Sequence, residues 1–220
     1  EEAKLELDQG WDEYEQGKLE AEKNLVMFLY FCRELYQKYR EAGIPEEILL
    51  ATLEDLPLKA LRHYNTTGVL GLSGIRWIAP VFRMEQFRLG RMVFCMGKLP
   101  VEVPQKSLAV GTPVVDVHIP AGAPLSMQAC RDAFTRAEAF FETYFPEYGF
   151  SWYTCFSWLL DEGLKQFLKE DSNILQFQKR FHIPFRRFND FSLSYFIILQ
   201  NFVNRTQISS ASKYSSTSLF

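Results

Sequence analysis

Residues 113–144 constrain the fold most, because a strand pattern there passes through a short turn into a helix pattern (PVVDVHIPAGAPLSMQACRDAFTRAEAFFETY). Residues 114–119 follow the two-residue period of a strand. This period places Asp116 and His118 on one face. Val115, Val117 and Ile119 project from the other face. The segment therefore predicts a buried strand with two titratable side chains on one side.

The turn after this strand, residues 120–125, consists of prolines and small residues up to Leu125. Ser126 is placed to cap the following helix, with Leu125 and Cys130 as a hydrophobic staple. Apolar residues then recur at helical spacing to about Tyr144. Such a turn faces unpaired backbone N–H groups and the positive end of the helix dipole. That arrangement suits a phosphate, although many turns of this kind bind no ligand.

The chain before Phe87 has the apolar spacing of helices. Gly10 and Gly17 interrupt the acid-rich start, so residues 1–17 are interpreted as a weakly ordered lead-in or a short helix. Helices are predicted at 18–42, at 45–56 with a shorter piece after it, and at 75–86 with a kink at Pro80.

From Phe87 onward the period alternates, and the predicted order is β-β-α-β-α-β-β. The fold class is therefore α+β, an N-terminal helical subdomain followed by a mixed sheet flanked by helices. The predicted domains are 1–86 and 87–208, with a serine-rich, disordered tail at 209–220. Strands are predicted at 87–96, 114–119, 150–158, 174–181 and 193–199, and helices at 126–144 and 159–169.

Composition excludes several classes of function. A net charge of -3 argues against nucleic-acid binding over the whole chain. The sequence has no apolar run near the roughly 18 residues of a membrane span and no secretory leader pattern, so we expect a cytoplasmic protein without membrane partners. The 4 cysteines lie far apart and lack metal-ligand spacing, so no metal site is expected.

Several segments in order resemble a bacterial acyltransferase family that joins an N-terminal helical acyltransferase domain to a GNAT-like C-terminal domain. The resemblance extends from about residue 25 to 181, and GIPEE at 43–47 matches a turn of the helical domain. The segments that carry it are RLGRMVF (88–94), VDVHIPAGAPLSMQAC (115–130), FFETYFPE (140–147), CFSWLLDEGL (155–164) and SNILQFQKRF (172–181).

The resemblance implies transfer of an acyl group from acetyl-CoA or another acyl-CoA to an amine of a small molecule or peptide. It places the pyrophosphate at residues 121–125, where Gly122 lets the backbone come close. The pantetheine arm would add beside the strand of His118, between it and residues 150–157. The implied cofactor-binding residues are Ile119, Ala121, Gly122, Ala123, Leu125 and Ser126.

Acyl transfer to an ammonium needs a base and an acid for the thiolate. His118 is the candidate base with Asp116 as its orienting partner, and Tyr153 is the candidate acid. The alternatives are a structural histidine and an aromatic packing role for Tyr153. Cys155 is a candidate nucleophile, but a buried core position is favoured. A basic cluster at 179–187 either meets the 3′-phosphate of coenzyme A or is a solvated strand edge.

Two observations keep a second class of function open. The turn segment AGAPLS has one glycine and no arginine, unlike the usual GNAT pyrophosphate signature, and the sequence after Phe188 departs from the family pattern. The alternative is a non-catalytic GNAT-like module that binds a ligand or a partner without turnover. The sequence also leaves a homodimer open and does not identify the acceptor amine or the acyl length.

Overall fold

The computed structural model describes residues 2–73, 77–189 and 192–200, with side chains at 17, 20–73, 77–104 and 106–181. The chain divides into two compact units, Glu1–Phe87 and Arg88–Phe220. The tail predicted to be disordered, 209–220, lies outside the described residues.

The described part of the first unit is helical. It contains α1 (Glu2–Glu41), α2 (Glu46–Leu53), α3 (Asp55–Thr67) and α4 (Ala79–Phe82). Phe28 of α1 and Leu56 of α3 share a hydrophobic cluster with Leu72. The Leu72 N–H donates to the Ala21 carbonyl at 2.8 Å. A Cβ on the neighbouring Gly71 would lie 2.7 Å from Ala21, so this close approach to α1 requires glycine.

Two predictions for this unit are wrong. Of the two alternatives for residues 1–17, the structure has the helix and not the weakly ordered lead-in, but the helix is not short, because α1 is one helix of 40 residues that runs through Gly10 and Gly17. An isolated glycine lowers helix stability by only about 1 kcal/mol, which the favourable helix propensity of the neighbouring residues offsets. The helix predicted at 75–86 is reduced within the described residues to the four residues of α4. Pro80 lies in the first turn of α4, where its missing N–H does no harm.

The second unit is built on a six-stranded mixed sheet in the order β1-β2-β3-β4-β6-β5. Strands β3 and β4 are parallel, whereas β2 with β3, β4 with β6, and β5 with β6 are antiparallel. The α+β class with helices before a mixed sheet is thus confirmed. The elements are β1 (Gln86–Leu89), β2 (Met92–Lys98), β3 (Pro113–His118), α5 (Met127–Tyr144), β4 (Trp152–Phe156), α6 (Asn173–Gln178), β5 (His182–Asn189) and β6 (Ser192–Gln200).

The structure corrects three element predictions in this unit. The strand predicted at 87–96 is two strands, with Gly90 at a φ of +67° in the turn between them. The helix predicted at 159–169 is replaced by the 3₁₀ turns Trp158–Leu160 and Glu162–Gln166. The strand predicted at 174–181 is wrong, because residues there form α6 behind the N-cap Ser172. The strand predicted at 193–199 is confirmed by β6.

The two faces of the sheet are covered differently. On one face, Phe134 of α5 packs with Phe94 of β2 and Tyr153 of β4, with ring centroids 4.9–5.9 Å apart. On the other face, Val114 at the start of β3 is covered by the apolar cluster of Leu99, Val103 and Leu108. Asp116 and His118, which follow Val114 on this face of β3, are not members of that cluster.

Candidate active site

The parallel strands β3 and β4 stop pairing before either strand ends. Their register joins Val115 to Tyr153 and Asp116 to Thr154, and no further pair forms between these described strands. Each strand keeps its other neighbour: β2 pairs with β3 as far as His118. Strand β4 pairs with β6 as far as Phe156. The last residues of β3 and β4 therefore offer two facing backbone edges, between which an extended ligand can add.

Three polar side chains meet at the point where the strands part. The Asp116 carboxylate lies 3.3 Å (Oδ2) from Nε2 of His118. Its other oxygen, Oδ1, accepts a hydrogen bond from the Thr154 hydroxyl at 2.9 Å. Asp116 and His118 are 21% and 29% exposed, so the site is enclosed yet open to solvent on the histidine side. All three side chains share one face of the sheet.

Burial governs the charge of this cluster. Burial raises the pKa of Asp116, while the neighbouring His118 and the hydrogen bond from Thr154 lower it. The Cys155 thiol on β4 is buried, and burial followed by the nearby Asp116 raises its pKa well above the usual value. A thiol with so little thiolate character is a poor nucleophile. The structure therefore supports the core role for Cys155 that the sequence favoured.

The turn predicted as a phosphate cradle follows β3 directly and leads into the N-terminus of α5. Ser126 is the N-cap, as predicted, and its hydroxyl accepts from the Ala129 N–H at 3.2 Å. Gly122 has a φ of +108°, a region that favours glycine. A Cβ there would meet nothing within 4 Å, so space is open beside this backbone. The first N–H groups of a helix lack partners within it, and those of α5 follow directly after this turn.

Arg91 holds this turn in place, a contact that sequence reasoning missed. Its guanidinium donates to the Pro120 carbonyl at 2.8 Å from Nη1 and to the Pro124 carbonyl at 3.4 Å from Nε. Arg91 lies in the turn between β1 and β2, 29 residues before Pro120. Burial lowers its pKa from the usual value. The RLGRMVF segment, which contains Arg91, contributed to the family resemblance, but no pattern in it indicates this contact.

Tyr153, the predicted general acid, lies away from the histidine. It is fully buried beside Phe134 and Phe150, on the sheet face opposite Asp116 and His118. Among the described residues its hydroxyl has no hydrogen-bond partner. Burial raises the pKa of Tyr153 far above its ordinary value. The placement favours the packing role over the acid role.

The other predicted residues divide between the turn and a region without described side chains. Leu125 and Cys130 are buried beside the helix start, whereas Ala121 and Ala123 are exposed and Ile119 is half-buried. Of the basic cluster, Lys179 and Arg180 follow α6, and the side chains of 182–187 lie outside the described residues. Among the described residues no group of His, Cys, Asp and Glu is arranged to hold a metal ion. None of the described helices has the length and apolar character to span a membrane.

Two protein families match the chain in succession. The family described as N-acyltransferase N-terminal domain matches residues 2–84. The family described as GNAT-like C-terminal domain matches residues 86–218. No curated protein matches the chain significantly.

Solved acyltransferase structures are similar over most of the chain. An acyltransferase in complex with decanoyl-CoA and teicoplanin is 30% identical with a TM-score of 0.67, over 77% of this chain and 50% of that one. An acyltransferase in complex with decanoyl-CoA is 32% identical with a TM-score of 0.65, over 74% and 49%. An acyltransferase mutant in complex with octanoyl-CoA has a TM-score of 0.71 over 86% and 69%, and at 23% identity it shows the fold alone.

The chain spans about half the length of the structures with which it shares 30% and 32% identity. The two family matches together cover nearly all of it, in the order that the sequence segments predicted. The chain belongs to the family that joins an N-acyltransferase N-terminal domain to a GNAT-like C-terminal domain.

Proposed function

We propose that the protein is an acyl-CoA-dependent N-acyltransferase that moves an acyl group from coenzyme A to an amine of a small molecule or peptide. The observation that carries the proposal is the parting of β3 and β4 beyond Asp116 and Thr154, next to the N-terminus of α5. An extended pantetheine arm can use the two freed strand edges. The pyrophosphate can use the helix N-terminus.

Residues 119–126 would form the cofactor-binding turn. Gly122 leaves room for the pyrophosphate at its backbone, and Ser126 keeps the first turn of α5 in place. The exposed Ala121 and Ala123 add little bulk around it. Arg91 contributes by fixing two carbonyls of the turn, because carbonyls that pointed at the phosphate would repel it.

His118 would act as the general base. A carboxylate beside Nε2 favours a proton on that nitrogen, which leaves the lone pair on Nδ1. Nδ1 would take a proton from the acceptor ammonium, and the free amine would attack the thioester carbonyl. The C–N bond forms, the C–S bond breaks, and coenzyme A leaves as a thiolate that takes up the second proton released by the acylated nitrogen, while His118 returns its own proton to solvent. A thiolate leaves readily, so the reaction does not need Tyr153 as an acid.

The related structures suggest which substrates to try first. The structures that share 30% and 32% identity with this chain hold decanoyl-CoA, and one also holds teicoplanin. We therefore propose a medium-length acyl-CoA as donor and an amine-bearing acceptor, with decanoyl-CoA and teicoplanin as first probes. A bacterial and cytoplasmic setting is part of the same proposal, because acyl-CoA is an intracellular donor.

The test is release of free thiol from decanoyl-CoA with and without the acceptor, with acylated acceptor measured by mass spectrometry. We expect acceptor-dependent turnover. The His118→Gln variant should lose at least about 100-fold in rate, the usual contribution of a general base. Coenzyme A binding by that variant, measured calorimetrically, should be unchanged. An equal rate in wild type and His118→Gln would contradict the role of His118.

A non-catalytic binding module is the second candidate. It is favoured by the AGAPLS turn, which has one glycine and no arginine. Such a module would bind coenzyme A calorimetrically but release no thiol with any acceptor in a panel of primary amines. Binding without turnover would therefore replace the first candidate with the second.

A further inference from the structure

We propose that Thr154 is a positioning residue for acyl transfer, whose hydroxyl holds the Asp116 carboxylate against His118. The inference rests on the proposed function, because it gives His118 the role of base. Thr154 has no place in the family resemblance and was not among the residues predicted from the sequence.

The Asp116 carboxylate has three partners: the Thr154 hydroxyl, the His118 ring and the Val117 backbone N–H. Oδ1 accepts from the Thr154 hydroxyl at 2.9 Å, and Oδ2 lies 3.3 Å from Nε2 of His118. A carboxylate held at one oxygen cannot turn about its Cβ–Cγ bond without breaking that hydrogen bond. The Thr154 contact, together with the Val117 N–H, therefore fixes where Oδ2 lies relative to the histidine ring.

The backbone makes this contact rigid. Asp116 and Thr154 are directly opposite each other in the last pair of the β3–β4 ladder. Thr154 is 1% exposed, and its β-branched side chain has restricted rotation about χ1. The hydroxyl is thus fixed at the point where the strands part, beside the proposed path of the pantetheine.

The hydrogen bond from Thr154 affects the ionisation of Asp116 because of the surroundings of this carboxylate. The titratable groups that share its face among the described side chains are His118 on β3 and Cys95, its ladder partner on β2, and Cys155 on β4 lies close by on the opposite face. Burial raises the pKa of Asp116, and the Thr154 hydroxyl opposes this effect. Without the hydroxyl, the carboxylate would become protonated at a higher pH and would no longer support a proton on Nε2.

The alternative is a purely structural role, in which the buried threonine hydroxyl donates to Asp116 only because this is the nearest acceptor. Thr154→Val and Thr154→Ser separate the two readings. Valine keeps the shape and removes the hydroxyl, whereas serine keeps the hydroxyl. A purely structural role would change stability in Thr154→Val but would leave kcat unchanged on the pH plateau where Asp116 is ionised, whereas a positioning role predicts a loss of kcat there that Thr154→Ser restores.

The experiment is a pH titration of ¹⁵N-histidine spectra of the full chain. The protein has 3 histidines, which His→Gln variants assign one at a time. The His118 signal should show a step when Asp116 ionises. We expect that step at a higher pH in Thr154→Val and at the wild-type pH in Thr154→Ser. The acidic limb of kcat/KM should move in the same direction, with coenzyme A binding unchanged.

The outcomes are distinguishable. A step at the wild-type pH in folded Thr154→Val would overturn the proposal for Thr154, even if the enzyme turns over. A shifted step in Thr154→Val, together with a wild type that shows no turnover, would uphold the contact but overturn the proposed function. If Thr154→Val does not unfold cooperatively, Thr154→Cys removes the hydroxyl in a second way and is judged by the same step.

Discussion

The Asp116 carboxylate lies 3.3 Å from Nε2 of His118, although Val117 stands between them in the sequence. Alternate residues of β3 project from the same face, so the strand itself brings the acid and the imidazole together. The pair lies where β3 parts from β4 and next to the turn that begins α5. A candidate base and a candidate phosphate site therefore occupy adjacent positions on one strand.

The buried charge of Asp116 should cost stability. Burial raises its pKa, so the folded state binds the proton more tightly than the unfolded state. Tighter proton binding stabilises the folded state. This contribution is complete below the unfolded pKa of about 3.9, and it is lost as the pH rises through the pKa of Asp116 in the folded state. We therefore expect Asp116→Asn to melt at a higher temperature than wild type at neutral pH, with the difference vanishing below about pH 4.

Thermal unfolding followed by circular dichroism between pH 3 and 8 measures this difference. Asp132→Asn is the matched control, because Asp132 is an exposed aspartate on α5. It should melt like wild type at each pH. If Asp116→Asn melts below wild type at neutral pH, the ionised carboxylate stabilises the fold and the account of its burial is wrong.

The N-cap of α5 should matter for both stability and binding. Ser126→Ala removes the acceptor of the Ala129 N–H, at a cost of about 1 kcal/mol in the free energy of unfolding. Ser172→Ala removes the equivalent cap of α6 and should cost a similar amount. Calorimetry should show weaker coenzyme A binding only for Ser126→Ala. Equal weakening in both variants would point to general loosening of the fold.

The two tyrosines of this region should respond in opposite directions when their hydroxyls are removed. The Tyr148 hydroxyl accepts from the Gly97 N–H at 2.7 Å and lies within 2.7 Å of the Gly97 and Val114 carbonyls. Tyr148→Phe should lower the free energy of unfolding by about 1–3 kcal/mol. Tyr153→Phe removes a buried hydroxyl that finds no partner in the described part of the chain, and it should raise this free energy or leave it unchanged.

Chemical denaturation of both variants checks these values. The acyl-transfer rate of Tyr153→Phe, relative to wild type, tests its placement separately. We expect no change, because the hydroxyl lies on the sheet face away from His118. A rate loss of tenfold or more would restore Tyr153 as the general acid.

Arg91 should tune cofactor affinity through the turn. Arg91→Leu frees the Pro120 and Pro124 carbonyls and should weaken coenzyme A binding by about tenfold, the equivalent of one lost hydrogen bond of about 1.4 kcal/mol. Arg131→Leu is the control for charge, because Arg131 lies near the same helix end but bonds to Gln128 of its own helix. An equal loss in both variants would mean that positive charge, not turn geometry, sets the affinity.

The sequence was sufficient where a local pattern has a single interpretation. Alternation in 114–119 predicted β3, and the serine before an apolar helix predicted the Ser126 cap. The same cap signal stands at Ser172, but the apolar residues after it suggested a strand, and α6 was missed. Leu175 and Phe177 are two residues apart and both are buried, which a short helix against a core allows as readily as a strand does.

The remaining features depend on contacts between distant parts of the chain. Thr154 meets Asp116 across 38 residues, and only the register of β3 against β4 brings them together. The Arg91 contact depends in the same way on the turn between β1 and β2. The hydropathy pattern does not indicate that β3 and β4 separate, because each strand remains paired with its other neighbour. Local propensity carries no information on any of these.

The most direct test of the account is calorimetric titration of coenzyme A into wild type, Gly122→Asp and Gly111→Asp. Both glycines have positive φ and open surroundings, so the variants carry similar backbone strain and the same added charge. We expect binding by wild type and Gly111→Asp, and its loss in Gly122→Asp, where the charge stands in the proposed pyrophosphate site. Equal binding by the two variants would contradict that site, and no binding by wild type would contradict the acyl-CoA-dependent function itself.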